Sequence, residues 1–159
     1  MRKRLRHRWT DLFGLVAELE KYPEFVPACQ RTRVLNRKAD GPDRTIIVSR
    51  MTVGYGAVRV SYANRTVADL GKRQIKVNAI DGPLRRLDVA WSFQPDGTGE
   101  TTEIAFAVSY EFSNPVLAAL ATGVFESMFR QILTAFERRA DQLFPASAAS
   151  EPSTQVAAP

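Results

Sequence analysis

A change of hydrophobic period at Ser113-Asn114-Pro115 constrains this chain more than any other feature. Upstream, apolar residues recur at every second position, the period of strands with one buried face. Val58, Val60 and Tyr62 share a face opposite Arg59 and Ser61, and Ile75, Val77 and Ala79 oppose Lys76 and Asn78. Leu87, Val89, Trp91 and Phe93 oppose Asp88, Ala90, Ser92 and Gln94; Ile104, Phe106, Val108, Tyr110 and Phe112 oppose Ala105, Ala107, Ser109 and Glu111. Turn chemistry separates these runs at Asp40-Gly41-Pro42-Asp43, Asp69-Leu70-Gly71-Lys72, Asp81-Gly82-Pro83 and Pro95-Asp96-Gly97-Thr98-Gly99. Connections this short join antiparallel neighbours, so a meander is expected. Further strands are expected at Arg31 to Arg37, at Thr45 to Val53 and within the basic N-terminus.

Downstream the period is that of a helix. Asn114 supplies a polar cap and Pro115 a first-turn proline. Leu117, Leu120, Val124, Met128, Ile132 and Phe136 form one stripe, widened by Phe125, Phe129 and Leu133, over a helix predicted to reach about Leu143. Residues 1–144 then make one domain, and 145–159, rich in Ala, Ser and Pro, a disordered tail. A sheet and a helix that each have one apolar face bury both if the sheet wraps around the helix. The predicted class is therefore α+β, a helix-grip fold with short helices between Trp9 and Cys29 closing one end. Such an arrangement can enclose an apolar space, although periodicity does not reveal whether it does.

Several chemistries lack their residues. Acid–base catalysis needs a group that titrates near neutrality, and the sole histidine, His7, lies in the basic arm, where exposure is expected. One His and one Cys make a poor start on a zinc site, and Cys29 reads as a small buried hydrophobe. The pieces Val53-Gly54-Tyr55-Gly56 and Gly97-Thr98-Gly99 have no following lysine and helix, so phosphate binding is not expected. The longest largely apolar uncharged run, Phe112 to Phe125, is shorter than the ~20 residues of a membrane span. No secretory-type segment follows the first basic residues, which predicts a cytoplasmic location. The net charge of +5 favours acidic partners, lipid headgroups or RNA. It is concentrated in Arg2, Lys3, Arg4, Arg6 and Arg8, which suit either a charged edge strand or a docking surface.

Three separated motifs resemble one family. Leu12-Phe13-Gly14-Leu15-Val16-Ala17-Glu18-Leu19 with Tyr22-Pro23-Glu24-Phe25-Val26-Pro27-Ala28-Cys29, then Gly82-Pro83-Leu84 with Leu87 and Trp91-Ser92-Phe93, then Ala135-Phe136-Glu137-Arg138-Arg139-Ala140 follow in order across residues 2–144. They resemble the coenzyme Q-binding subfamily of START-like, polyketide-cyclase-like proteins, which also includes a ribosome association toxin. The chain departs from that pattern at Gly14, Ala28 and Leu84, where relatives carry aspartate, tryptophan and phenylalanine. The resemblance implies a non-catalytic carrier of ubiquinone that supports respiration and quinone biosynthesis, with no metal or other cofactor and no DNA partner. It leaves two alternatives, a ribosome association toxin-like protein that binds the large ribosomal subunit and a polyketide cyclase-like enzyme. A quinone carrier needs an apolar space, aromatic walls and a few donors. The candidates are Tyr22, Pro23, Phe25, Val26 and Pro27 at one end, then Tyr62, Leu84, Leu87, Trp91, Phe93, Phe106, Val108 and Tyr110 on strands and Phe125, Met128 and Phe129 on the helix, with the Trp91 indole and the Tyr62 and Tyr110 hydroxyls as donors. The basic arm is then expected to dock on an anionic membrane, placing the protein peripherally at its inner face.

Overall fold

Every break with turn chemistry is a reversal of the chain. The computed structural model describes residues 1–55 and 57–145; Gly56 and the segment 146–159, which holds nearly all of the expected tail, lie outside it, as do the side chains of Tyr55, Val58, Leu117, Leu120, Ala121 and Thr122. Strand β1 (Arg2–Leu5) leads into helix α1 (Trp9–Ala17), a single 3-10 turn (Leu19–Lys21) and helix α2 (Tyr22–Phe25). Then come β2 (Cys29–Ala39), β3 (Arg44–Tyr55), β4 (Val58–Asp69), β5 (Gln74–Ala79), β6 (Leu84–Pro95), β7 (Thr102–Phe112) and helix α3 (Pro115–Leu143). The strands form one antiparallel seven-stranded sheet in the order β1-β7-β6-β5-β4-β3-β2. Strands β2 to β7 are a meander, and β1 returns from the N-terminus to cover the β7 edge.

The turns are held by the residues that predicted them. The Asp96 carboxylate accepts from Thr98 N at 3.1 Å and from Gly99 N at 2.9 Å, and Gly99 takes the positive φ of 76° that closes the loop. Asp81 Oδ1 accepts from Ala63 N at 2.6 Å and its Oδ2 from Arg50 Nη2 at 2.9 Å, tying the turn before β6 to β3 and β4. These hydrogen bonds, the backbone donor first, hold the Asp81 carboxyl below the usual carboxylate range.

The sheet curls around α3 in the helix-grip arrangement. Helix α1 fills one end of the groove with Leu12, Phe13, Leu15 and Val16, and Phe13 meets Phe93 edge to face at 5.6 Å. Helix α3 starts where Asn114 Oδ1 accepts from Val116 N at 2.9 Å. Its C-terminal half is buried through Leu133, Phe136 and Ala140 and fastened at its flanks. Lys3 pairs with Glu137, Arg139 Nη2 donates to Glu24 at 3.2 Å, and His7 Nε2 lies 2.7 Å from Asp141 Oδ1.

Two expectations are corrected here. His7 is 5% exposed rather than a surface residue, because β1 runs into α1 beneath the end of α3, where the imidazole meets Asp141 and Phe144. The five cations of the arm do not share one surface. Alternation along β1 turns Lys3 inward to Glu137, while Arg2 and Arg4 are exposed and lie within 4.0 Å of Glu103. Cys29 is buried as expected, and burial raises its thiol pKa.

Candidate functional site

Five strands and three helical segments converge on an interior cavity of about 120 Å³ between the sheet and α3. Its apolar wall follows from the period-two pattern. Trp91 on β6 is the register partner of Phe106 on β7, and their rings lie 4.4 Å apart. Phe136 of α3 meets Trp91 at 5.1 Å and Tyr22 of α2 at 5.3 Å, and Phe129 meets Phe106 at 6.2 Å. Leu87 and Val89 on β6, Val77 on β5, Leu19, Val26 and Ile132 complete this wall.

The opposite wall is different in kind. Ser49 and Met51 of β3 and Tyr62, Asn64 and Thr66 of β4 line it. Ser49, Asn64 and Thr66 are 0, 2 and 1% exposed, yet Ser49 Oγ, Asn64 Oδ1 and Thr66 Oγ1 have no hydrogen-bond partner in the protein. A buried polar group left unpaired costs about 1–3 kcal/mol, so three together are not a feature of a core built for packing alone. The Tyr62 hydroxyl donates to Met51 Sδ at 3.6 Å, a weak acceptor, and burial pushes its pKa up to about 12. Tyr22 is pushed up further by burial, its hydroxyl donating to the Val16 carbonyl. Both phenols are thus neutral donors at physiological pH.

The structure divides the sequence candidates. Tyr22, Val26, Tyr62, Leu87, Trp91, Phe106 and Phe129 line the cavity. Phe93 is fully buried against Phe13 and belongs to the core at the α1 end. Tyr110 and Phe125 stack at 5.2 Å and, with Phe112, form an aromatic cluster farther along β7, so the Tyr110 hydroxyl is not a cavity donor. Val108, Leu84 and Met128 likewise lie outside the lining, and Pro23 is exposed. Phe25 and Pro27 face an open outer groove of about 610 Å³, which they share with Glu24, Arg130, Arg138 and Arg139. There the Arg139 guanidinium lies 5.3 Å over the Phe25 ring. Its size exceeds that of the interior cavity, but its charged, open lining suits no apolar ligand.

Ser49, Asn64 and Thr66 were not among the sequence candidates. A signal for them existed: extending the inward phase of Val60 and Tyr62 along β4 reaches Asn64 and Thr66, polar residues where a packed sheet face would be apolar. Among the described residues no group of three or more His, Cys, Asp or Glu is placed to hold a metal ion.

Known proteins share this architecture. A family model described as polyketide cyclase / dehydrase and lipid transport matches residues 5–137. The mitochondrial coenzyme Q-binding protein COQ10 of Dictyostelium discoideum is 29% identical over 148 residues, covering 92% of this chain and 70% of its own. The ribosome association toxin RatA of Rickettsia prowazekii is 28% identical over 144 residues, covering 89% of this chain and 94% of its own. Among solved structures, an 18 kDa protein from Caulobacter crescentus matches with a TM-score of 0.73 at 30% identity, over 90% of this chain and 95% of that one. The Zhui aromatase/cyclase from Streptomyces sp. R1128 has the same TM-score at 14% identity, over 94% and 95%, a likeness of fold alone. With its matched span, its wrapped helix and its interior cavity, the chain belongs to the polyketide cyclase / dehydrase and lipid transport family.

Proposed function

We propose that this chain binds a polyprenyl quinone of the ubiquinone type between sheet and α3 and carries it without chemical change. The observation that supports this most is the interior cavity, with Trp91, Phe106, Phe129 and Phe136 on one side and hydrogen-bonding groups on the other. A ring with two oxygen substituents and an apolar tail matches that division. The similarity to a coenzyme Q-binding protein points the same way. The lining offers no group poised for proton transfer near neutral pH, since its phenols are raised by burial. At about 120 Å³ the cavity is smaller than the roughly 300–1,000 Å³ of ordinary small-molecule sites. Binding a prenylated ring therefore requires the cavity to widen.

Organic extraction of protein purified without detergent, followed by mass spectrometry, tests the proposal. Substoichiometric ubiquinone is the expected result. Extracts holding only phospholipid, together with no uptake of added decylubiquinone, would rule it out.

A carrier must reach a bilayer, and no described helix is long and apolar enough to cross one. Arg2, Arg4, Arg6 and Arg8 are exposed along one edge and would dock on an anionic surface, each adding about 1 kcal/mol at low salt. A second reading, association with the large ribosomal subunit, is favoured by one observation besides the similarity to RatA. Arg31, Arg33 and Lys38 are exposed along the edge strand β2, a run of cations that suits an anionic partner. Changing the four arm arginines to glutamine separates the two readings. Loss of cosedimentation with anionic vesicles, with decylubiquinone affinity in detergent unchanged, is expected. Retained vesicle binding with lost, salt-sensitive sedimentation with large ribosomal subunits would replace the carrier reading by the ribosomal one.

A further inference from the structure

The unpaired polar wall carries more information than the presence of a ligand. Ser49 and Asn64 are register partners on β3 and β4, and Thr66 follows on the same face, so three polar groups stand together at one side of the cavity. Their roles differ by chemistry: a hydroxyl donates or accepts, whereas a carboxamide oxygen only accepts. The nearby phenol does not serve that oxygen: the Tyr62 hydroxyl donates to Met51 Sδ and accepts from the Asn64 side chain, whose amide nitrogen is thereby engaged. Asn64 lines the cavity, and its Oδ1 is a buried acceptor to which no protein group donates.

We propose that Ser49, Asn64 and Thr66 read the oxygen substituents of the ligand ring, and that Asn64 Oδ1 makes the site prefer a hydroxyl-bearing ring, a quinol or phenol, over the oxidised quinone. This rests on the carrier reading above and sharpens it. The oxidised ring presents only acceptors. Its carbonyls can take the Ser49 and Thr66 protons, but Asn64 Oδ1 is then desolvated against another acceptor. A quinol brings two O–H donors and leaves none of the three groups unpaired. Discrimination of this kind comes from the penalty on the wrong partner as much as from the bond to the right one.

Calorimetric titration under anaerobic conditions, with decylubiquinone and with its chemically reduced quinol, tests the proposal on the parent chain and on Asn64→Leu, Ser49→Ala and Thr66→Val. The parent should bind the quinol about tenfold more tightly, the scale of one neutral hydrogen bond made or withheld. Asn64→Leu should remove that preference while still binding the oxidised ring. Ser49→Ala and Thr66→Val should melt no lower than the parent, since each removes only an unpaired buried hydroxyl. Equal affinity of the parent for both forms, or a preference that survives Asn64→Leu, would overturn this proposal alone. Lowered melting temperatures in both Ser49→Ala and Thr66→Val would also overturn it, by showing that the polar wall is satisfied within the fold. Binding of neither form would overturn the carrier reading and this proposal with it.

Discussion

Gly82 lets its turn pack closely against the cavity-lining Tyr62 through its missing side chain. It has φ of 110°, and a Cβ added there would lie 2.7 Å from Tyr62 Cβ, an atom fixed by its own strand. Gly82→Ala should therefore destabilise the protein by about 2 kcal/mol in denaturant titration and displace Tyr62 from the lining. A variant as stable as the parent would show that the turn relaxes at no cost. At this scale the sequence revealed which face each residue occupies but not its depth along the strand. Trp91 and Phe106 share their phase with Phe93 and Tyr110, yet the first two line the cavity while Phe93 packs against Phe13 and Tyr110 against Phe125. Phase repeats every two residues, whereas position along the groove depends on how the sheet curls and where α1 plugs it. Searching for bulky residues also passed over Ser49, Asn64 and Thr66, whose importance lies in being polar and buried.

Helix α3 divides into two halves with different attachments. From Phe129 to Ala140 it is packed against the sheet and fastened by Lys3, His7 and Glu24 through Glu137, Asp141 and Arg139. Before Phe125, Asn114 caps the helix, and Val116 and Val124 are 65% and 39% exposed. A ligand larger than the cavity must displace the turns that line it, at Phe129, Ile132 and Phe136. The exposed Val116 and Val124 mark the preceding turns as the end from which that movement starts. Amide hydrogen exchange should show protection at least about tenfold lower over residues 116–124 than over 129–140, and quinone binding should narrow that gap. Uniform protection along the helix would contradict it. The helix start and end were readable from Asn114, Pro115 and the apolar stripe; its uneven fastening was not, because the partners at positions 3, 7 and 24 are remote in sequence.

For the whole molecule, the helix-grip arrangement follows from the order of periods, many short-turned strands and then one long amphipathic helix. The edge strand β1 hides His7 and splits the basic arm, a tertiary outcome that no local pattern contains. What the molecule as a whole offers is an interior with one aromatic and one hydrogen-bonding wall, and the central claim is that a quinone ring occupies it. Its two tryptophans provide an internal comparison, because Trp91 lines the cavity while Trp9 lies beneath the Arg73 guanidinium, 5.2 Å from its ring. Titration of ¹⁵N-labelled protein with decylubiquinone, followed through the two indole N–H resonances, is the most direct measurement. The Trp91 resonance should shift and saturate while that of Trp9 stays in place. A stationary Trp91 resonance, or shifts confined to the outer groove at Arg138 and Arg139, would contradict the claim.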